Sequence, residues 1–346
     1  MSIKPFVHGV NYPWSTDGET VFYGLDFGIN VWGSHLGVTT RRDAIARDFE
    51  QMAALGFVVA RWFVFADGRA GIVYDDRSLP AALDEQFFND VDAALEIARD
   101  TNMRVVFVLF DHQWLFRGIH HSIADPITGN LLEARLPQGR AHVLLSKEGH
   151  DALFEHAIGP FVRRYGHNGV RADLKDCIFA FEFMNEPDFV IDEWERDLSR
   201  RVRRPVPFAA LAAAVARLSD LVRRFSPALA TIGAARADNL WAWDDDGLGL
   251  DLLQLHAYPD SPRPGDVDPF DTPAHALDLT RDIVLGEFRS SAPLDESLER
   301  AMDRGYSGAW PWSFSGSDKY GRLAAGALQR FGERHPELVN SRFAPP

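Results

Sequence analysis

The chain has 346 residues, of which 46% are hydrophobic and 25% charged, a composition typical of a soluble globular protein with a large core. Acidic residues outnumber basic ones by 50 to 36, for a net charge of −14, which argues against nucleic-acid binding and against anionic membranes. The single cysteine, Cys177, excludes an internal disulfide. The first residues lack the apolar stretch of a signal peptide, and no segment is long enough to span a membrane, so we expect a cytoplasmic location.

Strand and helix patterns alternate along the whole chain. The predicted strands are, in order, 6–12, 57–64, 104–110, 177–184, 228–233, 252–256, 282–286 and 308–313. The predicted helices are 40–55, 84–100, 147–165, 208–225, a short one from 238, 294–304 and 319–331. Eight such strands in alternation with helices predict the α/β class and one (β/α)₈ barrel, with residues 1–346 as a single catalytic domain.

The connections favour this barrel over a doubly wound sheet. A doubly wound sheet usually has a glycine-rich phosphate loop after its first strand, and no such loop follows a strand here. The links from helix to strand are short, whereas four links from strand to helix are long: 13–39, 111–146, 187–206 and 257–272. The long loops therefore lie over the face where the strands end, which is the catalytic face of this architecture.

Two predicted strands end in a glutamate. Strand four runs into Asn185-Glu186-Pro187, and strand seven runs into Glu287. Strands four and seven lie opposite each other in an eight-stranded barrel, so the two carboxylates face each other across its mouth. Two carboxylates about 5–5.5 Å apart are what a retaining glycosidase needs, one as nucleophile and one as general acid and base. The sequence therefore predicts this double-displacement chemistry.

The roles of the two glutamates follow from a buried cation. Arg61 lies inside strand two after three apolar residues, and a buried arginine must be paired. Glu287 is the preferred partner, and Glu182 inside strand four is the competitor. A nearby cation keeps a carboxylate ionised, as a nucleophile requires, so we predict Glu287 as nucleophile and Glu186 as acid and base.

Other polar and aromatic residues next to strand ends are candidates for the same site. His112 and His256 follow strands three and six, and Tyr258 is predicted to donate a hydrogen bond to the nucleophile. Asn185 is predicted to donate to the 2-hydroxyl of the sugar. Either of two tryptophans of strand eight is predicted to form the floor of the sugar site, and two loop tryptophans its walls or more distant subsites; these are Trp310 and Trp312, and Trp32 and Trp114.

The order of these residues resembles a known family. Successive strand ends carry Arg61, His112, Asn185-Glu186, His256-Ala257-Tyr258, Glu287 and Trp312. This order resembles glycoside hydrolase family 5, or a close relative within clan A of the (β/α)₈ retaining glycosidases. The resemblance implies hydrolysis of β-glycosides with net retention, without a metal or another cofactor, and with carbohydrate as the partner.

Several points stay open at the level of sequence. The substrate class comprises β-glucosides, β-mannosides and short oligosaccharides, and the long loops favour a closed, exo-type pocket. The same residues would serve a transglycosylase, and a non-catalytic carbohydrate-binding barrel is the alternative from another class. A metal-dependent sugar isomerase is disfavoured because His120 and His121 match no zinc-binding spacing. Nothing in the sequence specifies the oligomeric state.

Overall fold

Eight parallel strands close into a barrel. The structure is a computed structural model that describes residues 6–13, 15, 24–115, 119–124, 131–136, 139–194, 205–258, 267–290, 293–316 and 323–339, with the backbone alone for 119–124 and 131–136. The barrel strands are β1 Val7–Asn11, β2 Val59–Ala66, β3 Arg104–Asp111, β4 Ile178–Asn185, β5 Leu229–Ala234, β6 Leu252–Ala257, β7 Asp282–Arg289 and β8 Gly308–Trp312. They neighbour one another in chain order, and β8 pairs with β1, so the predicted (β/α)₈ barrel is confirmed.

Helices surround the barrel. The α-helices are Arg42–Ala54, Phe87–Asp100, Ala141–Leu145, Lys147–Leu153, Gly159–Arg164, Phe208–Phe225, Leu240–Trp243, Leu294–Asp303, Ala325–Arg334 and Pro336–Val339, and a π-helical turn, Phe154–Ile158, joins two of them. Short 3₁₀ segments are Val38–Arg41, His112–Leu115, Ala172–Cys177, Pro187–Phe189, Asp192–Trp194, Ala237–Asn239, Asp246–Leu248 and Ala274–Leu277. Within the described ranges, every helix is too short or too polar to cross a bilayer.

One helix illustrates how the apolar pattern sets this outer layer. The helix Phe208–Phe225 buries Leu211, Val215, Leu218 and Val222, which recur every three or four residues and so form one face. Pro207 precedes it with extended backbone, a conformation that fits the residue before a helix. The apolar face packs on the barrel strands, which are themselves buried on both sides, as a parallel sheet covered by helices requires.

The strand register gathers polar side chains at one end of the barrel. Asn11 pairs with Arg61 between β1 and β2, and His256 pairs with Glu287 between β6 and β7. The register shifts between Leu255 and His256, and a similar shift lies between Glu182 and Asn185 of β4. Such irregularities are common at barrel rims, where they redirect side chains. They allow residues at odd spacing to face the same cavity.

The loops contain elements that the sequence patterns do not predict. After β2 an antiparallel hairpin pairs Ile72–Tyr74 with Pro80–Leu83, and after β3 a second pairs Ile119–Ala124 with Leu131–Leu136. The first hairpin has strands of only three and four residues, too short for a recognisable alternation. The final predicted helix starts at 319, but residues 317–322 lie outside the described ranges and the observed helix begins at Ala325.

Candidate active site

Arg61 is the hub of the polar cluster at the carboxyl ends of the strands. Its side chain is fully buried, and its Nη1 donates to Glu287 Oε1 at 2.6 Å. Its Nε and Nη2 donate to the two carboxylate oxygens of Glu182 at 2.7 and 2.6 Å. Burial opposes the charge of the guanidinium, but the two carboxylates more than offset it and raise the pKa of Arg61. The two partners that the sequence leaves in competition therefore both bind Arg61.

The two predicted catalytic glutamates meet at the barrel mouth. A carboxylate oxygen of Glu186, one of Glu287 and a ring nitrogen of His256 all lie within 4.8 Å of one another. Retaining glycosidases hold their two carboxyl groups about 5–5.5 Å apart, whereas inverting enzymes need a wider gap for a water molecule. An approach of two carboxylate oxygens to within 4.8 Å is compatible with the narrower of these two arrangements.

Glu186 sits in the environment of a general acid. It follows β4 directly with left-handed backbone, φ 50° and ψ 51°, and its N–H donates to the carbonyl of Gly233 at 2.7 Å. A non-glycine residue in this region is strained and held by its surroundings. Burial raises the pKa of Glu186 to about 7, with Asp111 and Asp188 adding to the rise and His112 and Arg61 opposing it. A carboxyl group with this pKa retains a proton near neutral pH.

Two hydrogen-bond donors, Arg61 and Tyr258, stabilise the negative charge of Glu287. Besides the guanidinium, Tyr258 donates its hydroxyl to Glu287 Oε2 at 2.8 Å, and His256 Nδ1 lies 3.6 Å from Oε1. Burial raises the pKa of Glu287, while His256 and Arg61 oppose that rise. The side chain is 5% exposed, against 17% for Glu186, so Glu186 is the more open of the two. A leaving group is therefore more easily reached by Glu186.

Both predicted histidines lie next to the carboxylates. His256 Nδ1 is 3.3 Å from Glu186 Oε1, and burial lowers the pKa of this imidazole, which favours its neutral form. His112 opens the 3₁₀ turn after β3, with its Nδ1 3.5 Å from Asp111 Oδ1. Its ring centroid is 5.1 Å from that of Phe189, in the turn that follows Glu186. Both rings thus border the space beside Glu186.

The amide of Asn185 is fixed at both ends. Its Oδ1 accepts a hydrogen bond from Arg61 Nη2 at 2.7 Å, and its Nδ2 donates to Asp111 Oδ2 at 2.8 Å. This leaves one hydrogen of Nδ2 for the predicted bond to a sugar hydroxyl. Asn11 adds a further contact, because its Oδ1 accepts from Arg61 Nη1 at 2.8 Å. Sequence reasoning missed Asn11 and Asp111, although each is a polar residue that ends an apolar strand.

Of the two strand-eight tryptophans, only Trp312 borders the site. It is 8% exposed and packs in one cluster with Phe63 and with the ring of Tyr258. Trp310 is fully buried inside the barrel, where its Nε1 donates to the carbonyl of Val7 at 3.2 Å. Two residues apart, the two tryptophans point to the same side of β8, but Trp310 lies one layer deeper, packed against Val7 and Phe179. The prediction that either could form the floor is therefore wrong for Trp310, and Trp312 is the remaining candidate.

The two loop tryptophans differ from each other. Trp114 is 1% exposed, stacks on Phe110 with 4.1 Å between ring centroids, and donates to the hydroxyl of Tyr74 at 3.2 Å. It fills the core beneath the loops, so the prediction of a sugar-contacting wall is wrong for it. Trp32 is half-buried, with the guanidinium of Arg69 5.8 Å from its ring centroid, and its role as a wall remains a prediction.

The same cluster also contains residue types that bind metal ions. Among the described residues, one group of three, Glu186, His256 and Glu287, could each offer a ligand atom to an ion. Arg61 already supplies positive charge to Glu287, and an ion there would be repelled by the guanidinium. We therefore assign no metal to these residues. The side chains of His120 and His121 lie outside the described part of the chain.

Removing the hub cation is expected to destabilise the fold. Arg61→Met should lower the free energy of unfolding by about 3–5 kcal/mol, because it leaves buried carboxylates without a cation. Urea unfolding measures this. The matched control is Arg42→Met, which breaks a pair between Arg42 Nη2 and Glu96 Oε2 with Arg42 44% exposed; its expected cost is about 0–1 kcal/mol. Equal losses in both variants would contradict the assigned role of Arg61.

Fold and site together define a (β/α)₈ barrel with paired glutamates at the carboxyl ends of β4 and β7. No protein-family model matches the chain. A mannan endo-1,4-β-mannosidase from the mussel Mytilus edulis is 20% identical over 342 residues, covering 89% of this chain and 83% of the mussel protein. A relative from rice, Oryza sativa subsp. japonica, is 24% identical over 283 residues, or 74% of this chain. This chain spans about half of the rice protein, 51% of its length.

Solved structures of a β-mannanase and a mannosidase are similar to this chain over nearly its whole length. A β-mannanase from Mytilus edulis superposes with a TM-score of 0.70 at 17% identity and covers 99% of this chain and 95% of its own. A glycoside hydrolase family 5 mannosidase from Rhizomucor miehei superposes with a TM-score of 0.52 at 14% identity, covering 97% and 94%. At these identities the similarity establishes the fold, a (β/α)₈ barrel that this chain shares with the family 5 mannosidase.

Proposed function

We propose that this protein is a retaining glycoside hydrolase that cleaves β-1,4-linked mannosides. The observation that carries the proposal is the approach of Glu186 and Glu287 to within 4.8 Å at the mouth of the barrel, with Arg61 bound to Glu287. Paired carboxylates at this distance fit double displacement. An intact pair also favours catalysis over a non-catalytic carbohydrate-binding barrel.

In the first step, an oxygen of Glu287 attacks the anomeric carbon. A covalent bond forms between them while the bond from that carbon to the leaving oxygen breaks, and Glu186 gives its proton to the leaving oxygen. The charge of Glu287 disappears in the glycosyl-enzyme, so the pKa of Glu186 falls. In the second step Glu186 takes a proton from water, the water oxygen attacks the anomeric carbon, and Glu287 leaves as a carboxylate.

The contacts of the site support these roles. Tyr258 and Arg61 bind different oxygens of Glu287, at 2.8 and 2.6 Å, which orients the carboxylate as well as stabilising its charge. Asn185, held by Arg61 and Asp111, is positioned to donate to the 2-hydroxyl of the sugar. Trp312 supplies the apolar surface on which the sugar ring rests.

The choice of mannose and of internal cleavage rests on the relatives. The mussel relative is named as a mannan endo-1,4-β-mannosidase, and the mussel structure as a β-mannanase. We therefore propose endo action on β-1,4-mannan, in place of the exo-type pocket that loop length favours. The same two glutamates would also transfer a mannosyl group to a sugar hydroxyl wherever such an acceptor replaces water in the second step.

Digestion of a defined oligosaccharide tests the proposal. We expect mannohexaose to yield mannobiose, mannotriose and mannotetraose early in the reaction, with little free mannose, as separated by chromatography. Cellohexaose is the matched control, since it differs in the configuration at one carbon of each ring, and we expect it to be cleaved far more slowly. Early release of mannose alone would contradict endo action, and preference for cellohexaose would contradict the choice of sugar.

A further inference from the structure

We infer that Glu182 is a positioning residue that sets how much of the Arg61 charge reaches the nucleophile Glu287. The inference rests on the proposed function, which gives Glu287 its role. Glu182 lies in β4, four residues before Glu186, and its side chain is fully buried. Because its side chain is fully buried, it is not available to contact a sugar, and we expect its effect on the reaction to pass through Arg61.

The geometry makes Arg61 a shared cation. Its Nε and Nη2 bind the two oxygens of Glu182, and its Nη1 binds Glu287 at 2.6 Å. Glu182 thus holds one edge of the guanidinium in a two-point contact, which is the strongest geometry between these groups. The remaining Nη1 is directed at Glu287. The planar guanidinium therefore transmits both the position and the charge state of Glu182 to the nucleophile.

Residues of β5 and β6 hold Glu182 in place on the side away from Arg61. Gln254 of β6 donates from Nε2 to Glu182 Oε2 at 2.8 Å and approaches Thr231 Oγ1 of β5 at 3.3 Å. A Cβ at Gly233 would lie 2.5 Å from Glu182 Oε1, so only glycine leaves room for this carboxylate. Three strands thus enclose Glu182, and the packing leaves it little freedom to turn away from Arg61.

Among the residues that the structure describes, four charged or titratable groups face Glu287. Arg61 comes from β2, His256 from β6, Tyr258 from the segment after β6, and Glu186 from the end of β4. Of these, Arg61 is the permanent cation. With Glu182 ionised, the guanidinium charge is divided between two carboxylates. Without that charge, Glu287 alone would face the whole of it and would be a more stable, weaker nucleophile.

Glu182→Gln is the direct test, because it removes the charge and keeps the shape. We expect both limbs of the pH profile of kcat/KM on mannohexaose to move toward acid by about one unit, since the unshared guanidinium favours the ionised form of both catalytic glutamates. We expect kcat to fall about tenfold. Glu182→Asp keeps the charge, so its limbs should stay where they are in the unchanged protein even if kcat falls.

Gln254→Met tests the same effect of Glu182 on Arg61, and we expect it to move the pH profile in the opposite direction. Methionine removes the Gln254 donor together with Oε1, which has no hydrogen-bond partner among the described residues. Glu182 keeps both of its bonds from Arg61, so we expect the variant to fold. Losing the donor concentrates the charge of Glu182 on Arg61, and we expect the limbs to move toward alkali by a fraction of a unit. This variant keeps the inference open to refutation if Glu182→Gln does not fold.

The control variant is Asp92→Asn. Asp92 also binds an arginine at two points, accepting from Arg164 Nε at 3.1 Å and from Nη2 at 2.6 Å, but it lies on the outer helix Phe87–Asp100. We expect no movement of the profile in this variant. Equal shifts in Glu182→Gln and Glu182→Asp, or unmoved limbs in Glu182→Gln, would overturn the inference. If Glu182→Gln does not fold, unmoved limbs in Gln254→Met would overturn it.

A readout without turnover separates this inference from the proposed function. Carbon-13 NMR of protein labelled at the glutamate carboxyl carbon follows the titration of Glu287, whose signal is assigned by its loss in Glu287→Gln. An acid shift of that signal in Glu182→Gln supports the inference even if mannohexaose is not cleaved. An unchanged signal overturns it even if mannohexaose is cleaved normally.

Discussion

Replacing Glu287 by alanine is expected to lower kcat on an aryl β-mannoside by about 10⁴-fold or more, equivalent to about 5.4 kcal/mol of lost transition-state stabilisation. Arg61 and Tyr258 both bind the carboxylate of Glu287, and alanine removes the group that they hold ionised for the attack. Steady-state kinetics measure the loss, and circular dichroism checks that the variant is folded.

Azide distinguishes a lost nucleophile from a damaged site. The alanine variant leaves a cavity where the carboxylate stood, and azide that enters it can attack the anomeric carbon from the same face. We expect activity to return in part, with the α-mannosyl azide as product, whose anomeric configuration is inverted relative to the substrate. Glu287→Gln is the matched control, since it fills the cavity and should show no rescue. Azide rescue with retained configuration would contradict the role of Glu287.

Replacing Glu186 by alanine is expected to have an effect that depends on the leaving group. Unactivated mannohexaose needs a proton on its leaving oxygen, so its kcat/KM should fall by about 10³-fold or more, within the range of general acid catalysis. A dinitrophenyl mannoside leaves without a proton, so bond cleavage should be little affected and the glycosyl-enzyme should accumulate. A pre-steady-state burst of dinitrophenol measures this accumulation. Equal losses on both substrates would contradict the assignment.

The pH profile gives a second readout of the same residue. Glu186 must carry its proton to act as an acid, and burial raises its pKa to about 7. The rate on mannohexaose should therefore fall as the pH rises through about 7, because the proton is lost there. With the dinitrophenyl substrate, this alkaline fall should be absent in Glu186→Ala. Asp188→Asn is a useful comparison, since Asp188 raises the pKa of Glu186, and the alkaline limb should move toward acid in that variant.

The sequence predicts the barrel because each strand can be recognised from its own residues. Each strand is a short apolar run that ends in a polar residue, and parallel strands bring those ends to one face regardless of loop detail. Glu186 and Glu287 are 101 positions apart by their numbering, yet strands four and seven suffice to oppose them. The positions of Tyr258 and Arg61 can be predicted in the same way. Tyr258 follows β6, which lies beside β7, and Arg61 lies in β2, across the barrel mouth from β7.

What the sequence does not predict depends on register and packing. The shift between Glu182 and Asn185 turns both side chains toward Arg61, although a regular strand would separate residues three apart onto opposite faces. The burial of Trp310 and Trp114 could not be predicted either, because an indole ring can pack in a core as readily as it can stack on a sugar. The single-domain organisation and the cytoplasmic location remain predictions from sequence.

Trapping the covalent intermediate tests the central claim most directly. A 2-deoxy-2-fluoro-mannosyl fluoride slows the second step more than the first, so the glycosyl-enzyme persists long enough for proteolysis and mass spectrometry. We predict one fluoromannosyl group per chain, on the peptide that contains Glu287, and no label in Glu287→Gln. Label on Glu186, or hydrolysis of the reagent with inversion and without any labelled peptide, would contradict the account.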